Sequence, residues 1–210
     1  MDRNRYRRIA VRTAAGVGLL LTLIALLFFC ELRRTQAEMD AVLSDLFDVV
    51  LHNVPDLGSG RSFQIVIMRE AQAPGAGPGE ETRARWSLLF DDKLRFPQAS
   101  LVTRGSFLLT NAVPTNIRVK LHLPKGAESV VLSNSELDHM TPSDFIQRFP
   151  DNHSWEIFSI SQPGFNFSKT EAILYVNHSC AGLCGGGDYI LMRKVDGVWR
   201  IVDQHITWMS

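Results

Sequence analysis

The spacing of apolar residues changes character along the chain, and each change marks an element. From Thr13 to Cys30, 18 consecutive residues carry no charge, and Leu19 onward is almost continuously Leu, Ile, Ala and Phe. From Glu31 to Asn53 there is no Gly or Pro, and Leu32, Met39, Val42, Leu43, Leu46, Phe47, Val49 and Val50 recur at spacings of 3, 4 and 7. That rhythm predicts an amphipathic helix, which Pro55 and Gly58 bring to an end. Ser62–Arg69 then alternates, with Phe63, Ile65 and Ile67 expected inward and Gln64 and Val66 outward, as a strand requires. The Pro/Gly-rich stretch 73–79 is a loop, from which a strand over 85–91 is expected to return as a hairpin.

Residues 98–112 favour a helix capped by Ser100, with Leu101, Gly105, Leu108 and Ala112 as its stripe. Short strands are expected at 119–123 and 129–133, around the turn Pro124-Lys125-Gly126. Thr141-Pro142-Ser143-Asp144 announces a helix that Pro150 stops: a capping Thr, a Pro at the first helical position and an acid at the third. Strands follow at 155–161, 172–180, 189–195 and 198–207, the last two joined by the hairpin turn Asp196-Gly197. Short connections between consecutive strands make a meander, with Trp199, Ile201 and Trp208 on its covered face. No internal repeat is present. The fold class expected is α+β: a transmembrane helix and a stalk helix followed by one α+β domain that ends in an antiparallel β-meander.

Charge gives the apolar run a direction. The chain balances 22 Lys+Arg against 22 Asp+Glu, yet Arg3, Arg5, Arg7, Arg8 and Arg12 precede the run with only Asp2 to oppose them. The part after Cys30 therefore holds 17 basic and 21 acidic residues, a poor match for phosphate backbones, and nucleic acid is excluded as a partner. At 1.5 Å per residue, about 18 to 20 helical residues cross the hydrocarbon of a bilayer. Basic residues concentrated before the span keep the N-terminus cytoplasmic. The expected organisation is a cytoplasmic tail at 1–12, a transmembrane helix at 13–30, a stalk at 31–53 and an extracytoplasmic domain at 54–210. Phe28 and Phe29 fit a signal-peptidase site badly, and Phe29 also argues against lipidation of Cys30, so the run reads as an uncleaved signal-anchor. The bilayer is one expected partner. The stalk stripe packs on its own domain, or, as the alternative, forms a short seam that pairs two chains. The composition, 45% hydrophobic with 15 Gly and 3 Cys, is that of a globular protein and excludes collagen-like, disordered and disulfide-dense classes.

Candidate chemistry is sparse. Cys180 and Cys184 share a Gly-rich turn between two strands, and outside the cytosol they are expected to form a disulfide. A redox-active pair is the lesser reading, because such pairs typically space their thiols by two residues at a helix N-terminus. A zinc site lacks two further ligands, so neither a metal nor another cofactor is expected. The run Gly182–Gly187 has no Lys-Ser/Thr after it and reads as turn geometry. Asp203 and His205, two apart on a strand, share a face and are the weak candidates for acid–base work, whereas the adjacent Asp138 and His139 would not meet if extended. Three Asn-x-Ser triplets, at Asn152, Asn166 and Asn177, read as chance matches to the glycosylation signal.

In their order, Phe165-Asn166, Ala172–Val176, Cys180-Ala181-Gly182-Leu183-Cys184-Gly185, Tyr189-Ile190-Leu191, Gly197-Val198-Trp199-Arg200-Ile201 and Trp208 resemble an uncharacterised family of bacterial secreted or membrane-anchored proteins. The resemblance covers 165–210, more weakly 98–112, and departs from the family pattern at Ala181, where Gly is usual. It implies no activity. The Gly-x-Trp-x-Ile ending is also similar to the last strands of cone-shaped domains of the nuclear-transport-factor-2-like kind, an analogy of fold alone. The function expected is that of a single-pass membrane-anchored extracytoplasmic binding or scaffolding domain. The alternative is an extracytoplasmic enzyme or thiol-redox protein using Cys180/Cys184 or Asp203/His205.

Overall fold

The computed structural model describes residues 3–52, 63–69, 96–112, 116–150, 157–179 and 185–210, with the side chains of all of these except 3–19, 52 and 63. Two compact units divide it, Met1–Glu38 and Met39–Ser210. Helix α1, Arg3–His52, runs through both.

Within the first unit, Leu20 to Cys30 is exposed at every position. Among the described residues no helix is long and apolar enough to cross a membrane. Residues 13–19 of the apolar run lie outside the described side chains, so the expected span is represented by its second part.

The second unit is built on one mixed sheet with helices against both faces. Its strands are β1 (Phe63–Met68), β2 (Ala127–Leu132), β3 (Ile157–Ile160), β4 (Gly164–Phe165), β5 (Glu171–Ser179), β6 (Gly185–Val195) and β7 (Val198–Met209). They lie in the order β2-β1-β3-β5-β6-β7, with β4 pairing β5 off the path. β1 is parallel to both β2 and β3, and the remaining pairs are antiparallel. The C-terminal meander forms as expected, and Asp196 and Gly197 turn its last hairpin with φ of 51° and 83°, the positive pair that a tight I′ turn demands.

Most of the helical stripe read from the sequence is buried against this unit's own sheet. Met39, Val42, Leu43, Leu46, Phe47 and Leu51 share a core with Ile65, Ile67, Phe158, Ile160 and Trp199. Residues 39–51 are thus a wall of the compact unit, although Val49 of the stripe is 44% exposed. Leu32 stays exposed. The opposite face of the sheet carries α2 (Leu101–Thr110), whose Phe107 packs with Phe96, Tyr175 and Tyr189. It also carries α4 (Pro142–Arg148), whose Phe145 packs with Phe149 on Val66 and Leu132. Layers on both faces leave no outward side for a central strand.

That burial corrects the alternation expected for β1: Val66, read as outward, is as buried as Ile65 and Ile67. The hairpin partner expected at 85–91 lies outside the described residues, and β1 has strands on both of its edges, β2 and β3. Residues 119–123, expected as a strand, have no ladder. Their donors go to α1 instead: the Lys120 N–H bonds Asp40 Oδ1 at 3.0 Å and the His122 N–H bonds Ser44 Oγ at 2.9 Å, while Val119, Leu121 and Leu123 pack on the α1 core.

The helix starts hold. Ser100 Oγ accepts from the Thr103 N–H at 3.1 Å, and Thr141 and Asp144 form a capping box with Pro142 at the helix start. A short helix α3, Asn134–Asp138, was not anticipated, although its Ser133-x-x-Glu136 capping box stands in the sequence. It places Asp138 in a helix and His139 at that helix's C-cap, where both are exposed, which replaces the extended setting expected for them.

Candidate functional site

A pocket of about 310 Å³ opens where the C-terminal part of α1 crosses the sheet. α1 contributes Leu46, Phe47, Val49 and Val50 because these positions lie on the face of the helix turned toward the strands. β3 supplies Phe158, β5 supplies Val176 and His178, β6 supplies Asp188 and Ile190, and β7 supplies Ile201 and Gln204. Pairing registers explain the set. Val176 stands opposite Asp188, and Ile190 opposite Gln204, so these side chains leave the pleat on one face.

Three polar side chains interrupt an otherwise apolar wall, and Asp188 is the most constrained of them. Its Oδ1 is sealed from solvent and accepts no hydrogen bond, the one such buried atom on the lining among the described residues. Leaving a buried acceptor unmade costs on the order of 1–3 kcal/mol, more for a charged group. The His178 ring lies 6.4 Å from that of Phe158. Asp188 follows directly on Gly185–Gly187, which belong to β6 and are buried, a correction to their reading as turn geometry. The glycines are needed for space. A Cβ on Gly187 would collide with Tyr175 Oη and Trp208 Nε1, which bond each other at 3.2 Å.

Asp203 and His205 lie along β7 on the other side of Gln204, facing away from the pocket. The structure does bring them together, with His205 Nε2 and Asp203 Oδ2 3.9 Å apart. That separation exceeds a hydrogen bond. Asp203 Oδ2 accepts instead from Gln98 Nε2 at 3.0 Å, and the His205 ring stacks on Phe96 at 4.4 Å. What they hold together is the junction between β7 and the segment leading into α2. Trp199 is buried and Ile201 half-buried, as expected, whereas Trp208 remains 40% exposed at the sheet edge.

A second polar constellation, absent from the sequence reading, surrounds Glu171. Its Oε1 accepts from the Ser100 N–H at 2.8 Å and Thr103 Oγ1 at 2.7 Å, and its Oε2 pairs with Arg193 at 3.0 Å. Burial pushes this carboxyl upward, but the bonds from Thr103, Ser100 and Arg193 outweigh it and hold the pKa below the ordinary glutamate value. Every acceptor direction is used internally, so this is a latch for the start of α2.

The expected disulfide pair, Cys180 and Cys184, lies outside the described residues, as does Asn152; Cys30 is free and exposed. Asn166 is engaged in a turn, where its Oδ1 accepts from the Thr170 N–H at 2.9 Å. Asn177 is half-buried within β5. Among the described residues no group of three His, Cys, Asp or Glu side chains is arranged to hold a metal ion. Comparison with protein families, with curated proteins and with solved structures returns no match.

Proposed function

We propose that this chain is a single-pass anchored protein, N-terminus in the cytoplasm, whose extracytoplasmic α+β domain acts by binding. The observation that carries the anchor is the state of α1 between Leu20 and Phe29. Leu20, Leu21, Leu23, Ile24, Leu26, Leu27, Phe28 and Phe29 are each between 51% and 65% exposed. At 100° per residue these eight side chains cover every side of the helix, so no single protein face could shelter them. Their transfer from water is worth on the order of 10 kcal/mol, an amount that selects a lipid environment. At the outer end Arg33 sits over the Phe29 ring at 4.6 Å, and Arg34 faces Glu31 at 4.0 Å, a grouping suited to headgroups.

Binding, in preference to catalysis, is supported by the pocket. It is concave and largely apolar with a few polar groups, which is the general form of a ligand site. The candidate acid–base pair Asp203/His205 faces the other way. The test is a double substitution, Leu23→Arg with Leu26→Arg, each costing about 2.5–3.5 kcal/mol at the centre of a span. The native chain is expected in the alkaline-carbonate membrane pellet and the variant in the supernatant. Recovery of the native chain in the supernatant would overturn the anchor.

A further inference from the structure

We propose that α2 is a contact between two copies of this chain, packed antiparallel across a two-fold axis at Gly105. The surface is separate from the pocket and independent of it.

The helix is apolar on two opposite sides. Thr103 and Phe107 face the sheet and are buried. Across from them lies the stripe that periodicity alone assigns to a packed face, yet it points outward. Leu101 is 78% exposed and Leu109 79%, Val102 is exposed beside them, and Leu108 is half-buried. A Cβ on Gly105 would meet no atom within 4 Å, so the middle of the stripe is an open notch. Arg104 is the only charged residue on α2, so the polar face that a solvent-facing helix carries is missing, and a helix apolar all round is ordinarily covered.

The occupant follows from the order of the residues. Counting outward from Gly105, Val102 and Leu108 stand three positions away, and Leu101 and Leu109 four. At 100° per residue all four lie within about 60° of Gly105, two on each side. A second copy turned antiparallel about Gly105 therefore sets its Leu109 against Leu101 and its Leu108 against Val102, while the notch lets the two backbones approach. Reciprocal matching of this kind is what an isologous contact requires, and an unrelated partner imposes no such symmetry. Charge agrees with it. Arg104 falls opposite Ser106 of the second copy, so like charges do not meet, and the positive end of each helix lies beside the negative end of the other. A lipid surface fits less well, since helices that lie in it line their polar side with Lys and Arg.

The stripe presents on the order of 300 Å² of apolar surface per copy, against about 800 Å² per partner in a standard interface. Such a contact is too small to hold copies together in free solution. It suits copies confined to one membrane, where the tether raises their effective concentration, and in this it rests on the anchor proposed above.

The experiment uses the full chain carrying Cys30→Ser in proteoliposomes, with copper-phenanthroline oxidation read on non-reducing gels. In the antiparallel pair position 101 lies near 109 of the second copy, but about 12 Å along the axis from its own counterpart, beyond the span of a disulfide. Leu101→Cys co-reconstituted with Leu109→Cys is expected to crosslink at least tenfold more than either alone or the Cys30→Ser parent. Adding Gly105→Lys to both fills the notch and sets two ammonium groups face to face. It is expected to remove the crosslink while the thermal transition of the chain stays in place. Self-crosslinking of Leu101→Cys equal to that of the mixture overturns the two-fold arrangement. A mixture no better than the parent, or one indifferent to Gly105→Lys, overturns the contact. Should the Leu substitutions disturb the helix, Gly105→Cys, which has open space around it, is expected to crosslink to itself, and its failure to do so overturns the contact. Anchoring is judged independently by carbonate fractionation of the same vesicles.

Discussion

Asp45 Oδ2 accepts the backbone N–H of Trp199 at 2.7 Å, across 154 residues of sequence. Asp45 is on α1 and Trp199 is the second residue of β7, so one carboxylate fastens the helix that carries the N-terminal apolar run to the last hairpin of the domain. Trp199 is itself 1% exposed and packs in the α1 core. Asp45→Ala leaves a part-buried N–H without its acceptor and is expected to cost about 1–3 kcal/mol. Denaturant unfolding of the detergent-solubilised chain measures it; a loss under 0.5 kcal/mol, the scatter typical of neutral surface changes, would show the bond to be incidental.

The α1 stripe should behave as core. Phe47 is fully buried and meets Phe158 edge-on at 5.2 Å, so Phe47→Ala is expected to destabilise by about 3–5 kcal/mol. Leu32→Ala, at an exposed position of the same helix, should fall within about 0.5 kcal/mol. A chain starting at Met39 is expected to give a cooperative thermal transition, and one starting at residue 54 none. The reverse ranking would mean that the helix is an appendage.

Acid should loosen α2 through Glu171. Its folded pKa lies below the ordinary value of 4.5, so the unfolded chain takes up the proton first as the pH falls. The stabilisation is complete above about pH 4.5 and is lost as the pH drops through the lower folded value. Glu171→Gln is therefore less stable than the native chain at pH 7, and the gap narrows below pH 4.5. Parallel unfolding curves at pH 7 and pH 3.5 check this, and a gap that widened on acidification would contradict it.

Gly187 is a spacing requirement. Gly187→Ala drives a methyl into Tyr175 and Trp208, and forcing such an overpacked contact costs about 1–3 kcal/mol. Gly197→Ala, with φ of 83° and open space around it, is strained within its own turn but should leave Trp208 fluorescence unchanged. Equal effects on Trp208 emission from both substitutions would refute the role given to Gly187.

Where structure depended on neighbours in sequence, it could be read in advance. The caps at Ser100 and Thr141, the Asp196-Gly197 hairpin and the 3–4–7 stripe of α1 each specify their geometry within a few residues. What escaped depends on distant contacts. Parallel pairing of β1 with β2 leaves no mark on either strand, and Val66 looks outward until α4 is known to cover it. Residues 119–123 have a strand's alternation, yet Asp40 and Ser44 take their donors. The pocket draws on five elements, and its polar member Asp188 is unremarkable in sequence. The visible signal, Asp203 two residues from His205, placed the pair on one face correctly but on the side away from the cavity.

The most direct measurement of the whole account is protease digestion of sealed, right-side-out membrane vesicles carrying the full chain with an epitope at each end. Residues 31–210 should be cut without lysing the vesicles, while the N-terminal epitope survives until detergent is added. Protection of the C-terminal epitope in intact vesicles, or its loss only together with the N-terminal one, would contradict the account.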